Sequence, residues 1–361
     1  VTDADLKLLT PYEGPRLRTP HRVAMAAMTR NRAGDARVPN ELMATYYAQR
    51  ATAGLMVTES VDVSPRAIGY PGTPGIYRPD QVDGWKQVVT AVRDAQPAPA
   101  PFFLQLFHTG RVSHVSLRPD SSPPLAPSAV RCKVELFTPQ GMQPASEPHP
   151  LSTAEIATVV DEYVAAAQRA VEAGFDGVEV NAGNGYLIDQ FLRDGTNRRT
   201  DGYGGSPKHR ARLLVEIVDA LGSAVGRERV AVRVSPVNET NDVTESDPKG
   251  LFTVVVDALA RRDPAYLHVI EAADKRTITP TLRERFPGTL VVNDGYDRDK
   301  AEEAVGSGLA DLVSFARLFL ANPDLPARFA AGATLNEPDP STFYGGGAEG
   351  YTSYPPLPAT A

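Results

Sequence analysis

Four neutral side chains fall at or just past the ends of short apolar runs of this sequence: Thr29, Gln105, Asn181 and Asn184. Amides and hydroxyls facing one cavity suit a flat heterocycle rich in carbonyl oxygen and ring nitrogen. Arg233 closes a further run and can stabilise negative charge on such a ring. Taken singly, each amide reads as an ordinary satisfied loop residue, so the case rests on their convergence. A second group, Gly295 and Arg317, follows the last two runs, where backbone N–H groups and a guanidinium can hold a phosphate. The competing reading of Arg317 is a structural salt bridge to Asp311 or Asp324. Other chemistries lack their residues. There is no HExxH, CxxC or GxSxG, no GxGxxG follows any of the apolar runs, and six scattered histidines give no metal site. His108 ends a run and reads as acid–base group or as structural. Glu179 would face inward only if Val178 and Val180 face outward, and then needs a cation; a Glu179–Arg233 pair is the bland reading.

Elements must bring these residues together. Apolar β-rich runs at 22–26, 55–59, 102–107, 177–181, 230–234, 267–270, 290–293 and 312–315 predict eight strands. Helical patterns lie between them at 41–53, 81–95, 153–173, 210–225, 251–261, 281–286 and 298–306. In 153–173 the residues Ile156, Val159, Val160, Tyr163, Val164 and Ala167 form one apolar face. Ser152 and Glu155 predict a capping box, and Gly174 the stop. Eight alternating units predict an α/β fold, a single closed (β/α)8 barrel spanning 1–361, with its site at the strand ends. The doubly wound alternative lacks its glycine signature.

The chain has 361 residues, 42% hydrophobic and 22% charged, which excludes a disordered chain and a coiled coil. Its net charge of −7 argues against nucleic acid. No apolar run approaches the ~20 residues of a membrane helix, and the opening VTDADLKLLTPYEG lacks a secretory leader's pattern. A lone cysteine, Cys132, fits a reducing compartment, here taken as the cytoplasm. Proline is abundant, 32 residues or about 9% against an average near 5%. Its clusters at 97–101, 119–127, 139–150 and 355–358 fall in connections. The segment 109–150 is too long for a plain loop and predicts a lid, with 130–137 as a strand. The stretch 335–361 is expected to close over the site.

Eight stretches, in order, resemble the old yellow enzyme family of flavin ene-reductases nearly end to end. They are RVAMAAMTRNR (22–32), YYAQRATAGLMVTE (46–59), GYPGTPGIY (69–77), LQLFHTGR (104–111), FDGVEVNAGNGYLIDQFLRDGTNRRTDGYGGS (175–206), VRVSP (232–236), LADLVSFARLFLANPDLPAR (309–328) and TFYGGGAEGYTSYP (342–355). The resemblance implies FMN over the barrel mouth, reduced by NADPH or NADH, with hydride passing to the β-carbon of an α,β-unsaturated carbonyl or nitro compound. It implies that Thr29 meets the flavin C4 carbonyl, that Gln105 and Arg233 hold the pyrimidine edge, and that Ala27, Met28 and Ser60 line the ring. Backbone at Asn293, Asp294, Gly295, Ala316 and Arg317 would take the phosphate. Tyr186 falls on the proton donor, Asn181 and Asn184 on the pair that holds the substrate oxygen, and Tyr70, Phe107 and Tyr344 on aromatic walls. Thr at position 29 matches one branch of the family; another carries Cys there.

The chain departs from the family pattern at four places. Both members of the substrate pair are Asn, where at least one His is usual, which removes an imidazole able to carry charge. Asp294 and Ala316 replace usual glycines, and Ala27 a usual proline. A carboxylate aimed at a phosphate would repel it; with its side chain in solvent it would not. The leading expectation is therefore an NAD(P)H-dependent ene-reductase, a monomer or homodimer acting on a small molecule. The alternatives are a flavin-dependent isomerase or redox-neutral tailoring enzyme, and a flavin-free barrel that only binds a ligand.

Overall fold

The computed structural model describes residues 6–358; the ends of the predicted tail and of the opening stretch, 359–361 and 1–5, lie outside the described residues. Eight parallel strands close into a barrel: Val23–Met25, Leu55–Asp62, Phe102–Phe107, Gly177–Ala182, Val230–Val234, Leu267–Ile270, Leu290–Asn293 and Leu312–Phe315. Closure comes from pairing of the last strand with the first, Ser314 opposite Ala24. These are the predicted strands, with only their ends moved.

Strand alternation sorts the side chains. Val178, Val180 and Ala182 face outward into a large cluster with the helices, so Gly177, Glu179 and Asn181 face the barrel interior. The interior's lower layer is apolar, built from Ala24, Leu55, Val57, Phe103, Ala231, Val291 and Leu312. A small N-terminal hairpin, Tyr12–Glu13 against Arg18–Thr19, joins that layer through Tyr12 and Leu17. Polar residues begin above it.

The helices follow their predicted faces. Thr153–Glu172 buries Ile156, Val159, Tyr163 and Ala167, and its capping box is made by Ser152 Oγ accepting from Glu155 N at 3.3 Å and Glu155 accepting from Ser152 N at 2.9 Å. Gly174, at φ 97°, ends it in a conformation that only glycine adopts freely. The helix predicted over 41–53 stops at Gln49, because the chain tightens into three-residue turns, Arg50 N to Tyr47 O and Ala53 N to Arg50 O. Short helices at Leu187–Leu192, Pro207–Arg210, Arg317–Ala321 and Leu325–Ala331 were not anticipated, being too brief for a periodic signal.

The long segment after the third strand carries an antiparallel hairpin, Glu135–Thr138 against Gly141–Pro144. This corrects the strand expected over 130–137. The backbone of 130–134 is engaged elsewhere: Arg111 takes the carbonyls of Val130 and Arg131, and Lys133 N bonds Asp242. The tail is tied down by arginines. Arg30 Nε and NH2 donate to the carbonyls of Phe343 (2.8 Å) and Gly350 (2.7 Å), and Arg32 reaches Thr342 and Gly347. Tyr351 stacks on Tyr46 at 4.1 Å, with Arg30 and Arg32 over the Tyr351 ring. Among the described residues no helix is long and apolar enough to cross a membrane.

Candidate functional site

A cavity of about 800 Å³ opens at the strand ends. Its wall includes Ala27, Met28, Thr29, Ser60, Gln105, Asn181, Asn184, Tyr186 and Arg233, with Tyr70 and Tyr344 above them. The ring of neutral donors expected from sequence therefore does converge. The cavity also takes residues that sequence reading missed, notably Leu136 and Phe137 of the lid hairpin and Pro71-Gly72. Nothing local marks these; their place depends on where the lid and loops land.

Polar residues of the floor form a directed network. In the barrel register Gln105 sits beside both Ser60 and Glu179, and Asn181 beside Arg233. Gln105 Oε1 accepts from Ser60 Oγ (2.8 Å) and Asn181 Nδ2 (3.2 Å), while its Nε2 donates to Glu179 Oε1 (2.8 Å). Glu179 Oε2 meets His268 Nδ1 at 2.9 Å, and His268 Nε2 meets Ser314 Oγ at 2.7 Å. This corrects the Glu179–Arg233 pair: the carboxylate's direct partners are Gln105 and His268. Arg233 instead donates to the Ala27 carbonyl and to Asn293 Oδ1, both at 3.2 Å, and acts on Glu179 through space.

Electrostatics follow burial. Burial opposes ionisation of Glu179, but His268, the Arg233 charge and the Gln105 amide outweigh it, and its pKa is lowered. Burial lowers His268 despite Glu179, so its ring is neutral, giving Nδ1–H to the carboxylate and accepting from Ser314. Burial also lowers Arg233. Its Nε is buried without a hydrogen-bond partner.

The upper wall carries the tyrosines. Tyr186 follows the fourth strand after Asn184 (φ 55°) and Gly185 (φ 75°), left-handed residues that turn the chain sharply. Its hydroxyl lies 3.2 Å from that of Tyr70. Burial raises the Tyr186 pKa, so the phenol is protonated at neutral pH; bonds from Tyr70 and Asn241 oppose the rise. Phe107 is not a wall of the cavity. It is 1% exposed and packs edge-on behind Tyr186, ring centroids 4.5 Å apart.

The group at Asn293–Gly295 and Ala316–Arg317 lies apart from this cavity's lining, at the ends of the last two strands. Arg317 is exposed and makes no ion pair with a described residue, since Asp311 holds Arg283 and Asp324 holds Arg328. Asp294 is exposed, with a strained φ of 87°. Glu59 does not enter the cavity lining; it accepts from the backbone N–H groups of Arg30 and Asn31 and so braces the loop carrying Thr29. His108 is fully buried, its Nδ1 accepting from Gly110 N, and plays the structural role. No cluster of metal-holding residues occurs among the described residues.

A family model, NADH:flavin oxidoreductase / NADH oxidase, matches residues 7–336. The chain belongs to this family. Solved structures agree: morphinone reductase in complex with tetrahydroNAD is 45% identical, covers 98% of both chains and superposes with a TM-score of 0.93. An old yellow enzyme homologue from Zymomonas mobilis is 39% identical, covering 97% of this chain and 99% of that one, also at 0.93. Among curated relatives, 12-oxophytodienoate reductase 1 of Oryza sativa subsp. japonica is 43% identical over 98% of this chain and 93% of its own. This family member is an oxidoreductase that uses FMN and a nicotinamide hydride donor. The flavin-free reading finds no support. The cavity suits the cofactor, since Thr29, Gln105, Asn181, Asn184 and Arg233 all line it and together supply hydroxyl, amide and guanidinium groups for a heterocycle rich in oxygen and nitrogen.

Proposed function

We propose that the enzyme is an NAD(P)H-dependent ene-reductase for α,β-unsaturated carbonyl or nitro compounds, and that the cavity residues divide its work as follows. Bound FMN supplies hydride transfer, from the nicotinamide to the alkene β-carbon. Thr29, Gln105 and Arg233 hold the edges of its ring, and Ala27, Met28 and Ser60 line it. Asn293, Asp294, Gly295, Ala316 and Arg317 hold its phosphate, Arg317 being free of competing carboxylates. Arg233 places a fixed positive charge where reduction leaves negative charge.

Asn181 and Asn184 donate N–H groups to the substrate oxygen and so polarise the alkene. Tyr186 delivers its proton to the α-carbon. Tyr70 supports that step, because its hydroxyl, 3.2 Å away, donates to the Tyr186 oxygen as the proton leaves. The observation that carries this reading is the placement of the Tyr186 phenol on one cavity wall with both amides and Arg233.

The test is anaerobic: NADPH oxidation coupled to loss of 2-cyclohexenone by the FMN-loaded enzyme. Tyr186→Phe is expected to slow alkene reduction by about 10²–10⁴-fold while leaving flavin reduction by NADPH intact. Unimpaired alkene reduction in that variant would sink the proton-donor role, and isomerised rather than reduced product would favour a redox-neutral enzyme.

A further inference from the structure

An amide can face a ligand with its oxygen or its nitrogen, and the two choices select opposite partners. In Asn181 the choice is made by backbone. Gly183 N–H donates to its Oδ1 at 3.2 Å, which leaves Nδ2 toward Gln105 and the cavity.

Asn184 is fixed through a longer chain of bonds. Its N–H donates to Ser235 Oγ at 2.6 Å, and its carbonyl accepts from Asn241 Nδ2 at 2.7 Å. Its side-chain Oδ1 accepts from Asn238 Nδ2 at 2.9 Å. Asn238 has no freedom to reverse, since its Oδ1 accepts from the backbone N–H of Thr240 at 2.9 Å and from the Thr240 hydroxyl. A backbone N–H only donates, so it sets the direction of every bond beyond it. Asn184 Nδ2 alone is left without a partner among the described residues, on the cavity wall.

We propose that Asn238 is a positioning residue that turns the Asn184 amide donor-side inward. With Asn181 it makes an uncharged, donor-only cradle, selective for ligands that present an acceptor oxygen. Asn238 itself does not line the cavity and acts only through Asn184. The inference rests on the role of Asn184 proposed above and names what enforces it.

Asn238→Asp tests it. A carboxylate still accepts from Thr240 N–H but cannot donate, so Asn184 must turn its Nδ2 to Asp and its Oδ1 into the cavity. The Kd of 2-cyclohexenone for the oxidised, FMN-loaded enzyme, read from the shift in flavin absorbance, is expected to weaken tenfold or more. Asn238→Ala, which removes the lock without reversing it, should weaken it only a few-fold. In an Asn184→Ala background Asn238→Asp should add no further loss. An equal loss in both backgrounds would mean that the new charge acts directly, and would overturn the proposal. So would unchanged binding in Asn238→Asp, or no binding by the wild type. Failure of wild-type turnover with binding and coupling intact would instead refute the reductase reading alone.

Discussion

Replacing Glu179 with glutamine should isolate the value of one buried charge beneath the flavin site. The carboxylate is fully buried and accepts from Gln105 Nε2 and His268 Nδ1. Glutamine has nearly the same shape, and its oxygen still accepts from Gln105. Its amide can donate to His268 Nδ1 once the ring shifts its proton to Nε2 and donates to Ser314. Every hydrogen bond survives and only the charge is lost. Arg233, 6% exposed, then loses its buried counter-charge and keeps only the exposed Asp294 carboxylate acting on it through space. Unit charges about 5 Å apart at an effective dielectric near 20 attract by about 3 kcal/mol. Removing one member of a buried pair costs about 3–5 kcal/mol. Urea unfolding of the FMN-free protein at neutral pH is therefore expected to show a loss of about 3 kcal/mol with an unchanged slope. Glu179→Leu should lose more, because it strands two donors at about 1–3 kcal/mol each. With FMN bound, Glu179→Gln should raise the flavin midpoint potential, since Arg233 acts there without its buried counter-charge. A Glu179→Gln protein within about 0.5 kcal/mol of wild type and with the same potential would refute the reasoning.

Three further outcomes follow from the same geometry. The substrate cradle carries no imidazole, His268 is held neutral by burial and Tyr186 is held protonated, so with Glu59 replaced by Gln to remove its own titration, kcat/KM for 2-cyclohexenone should stay flat from about pH 6 to 8; a sharp inflection near 6.5 in that Glu59→Gln protein counts against the amide pair. Asp294→Gly should relieve the positive φ and stabilise the protein by about 1 kcal/mol. With the carboxylate exposed, the same change should move the FMN Kd less than about threefold; tenfold tighter binding would show that it faces the phosphate. Burial raises the Glu59 carboxyl to about 7. The stability it contributes is full below the unfolded value near 4.5 and is lost as pH rises through 7. The stability of Glu59→Gln relative to wild type should accordingly increase between about pH 5 and 8, and a pH-independent difference would refute this.

By itself the sequence determined the barrel, its strands and the residues at their ends. These rest on local physics: alternation of period two, helical faces of period 3.6, caps such as Ser152, and stops such as Gly174. Strand ends in a closed barrel share one face, so Thr29, Gln105, Asn181, Asn184 and Arg233 were bound to meet. The tertiary structure decided who answers whom. Glu179 pairs with His268, one of six histidines scattered in the sequence, because strands four and six flank strand five and turn both side chains into the barrel interior. Phe107 moved from wall to backing because the strand turns it under Tyr186. The lid strand began at 135, not 130, because Arg111 claimed the backbone before it. The direction of the Asn184 amide was set by Thr240, through Asn238. Apart from the local turn that joins Asn238 to Thr240, these are contacts between residues well separated in the chain, where shape and competing donors decide the partner and no local pattern records the choice.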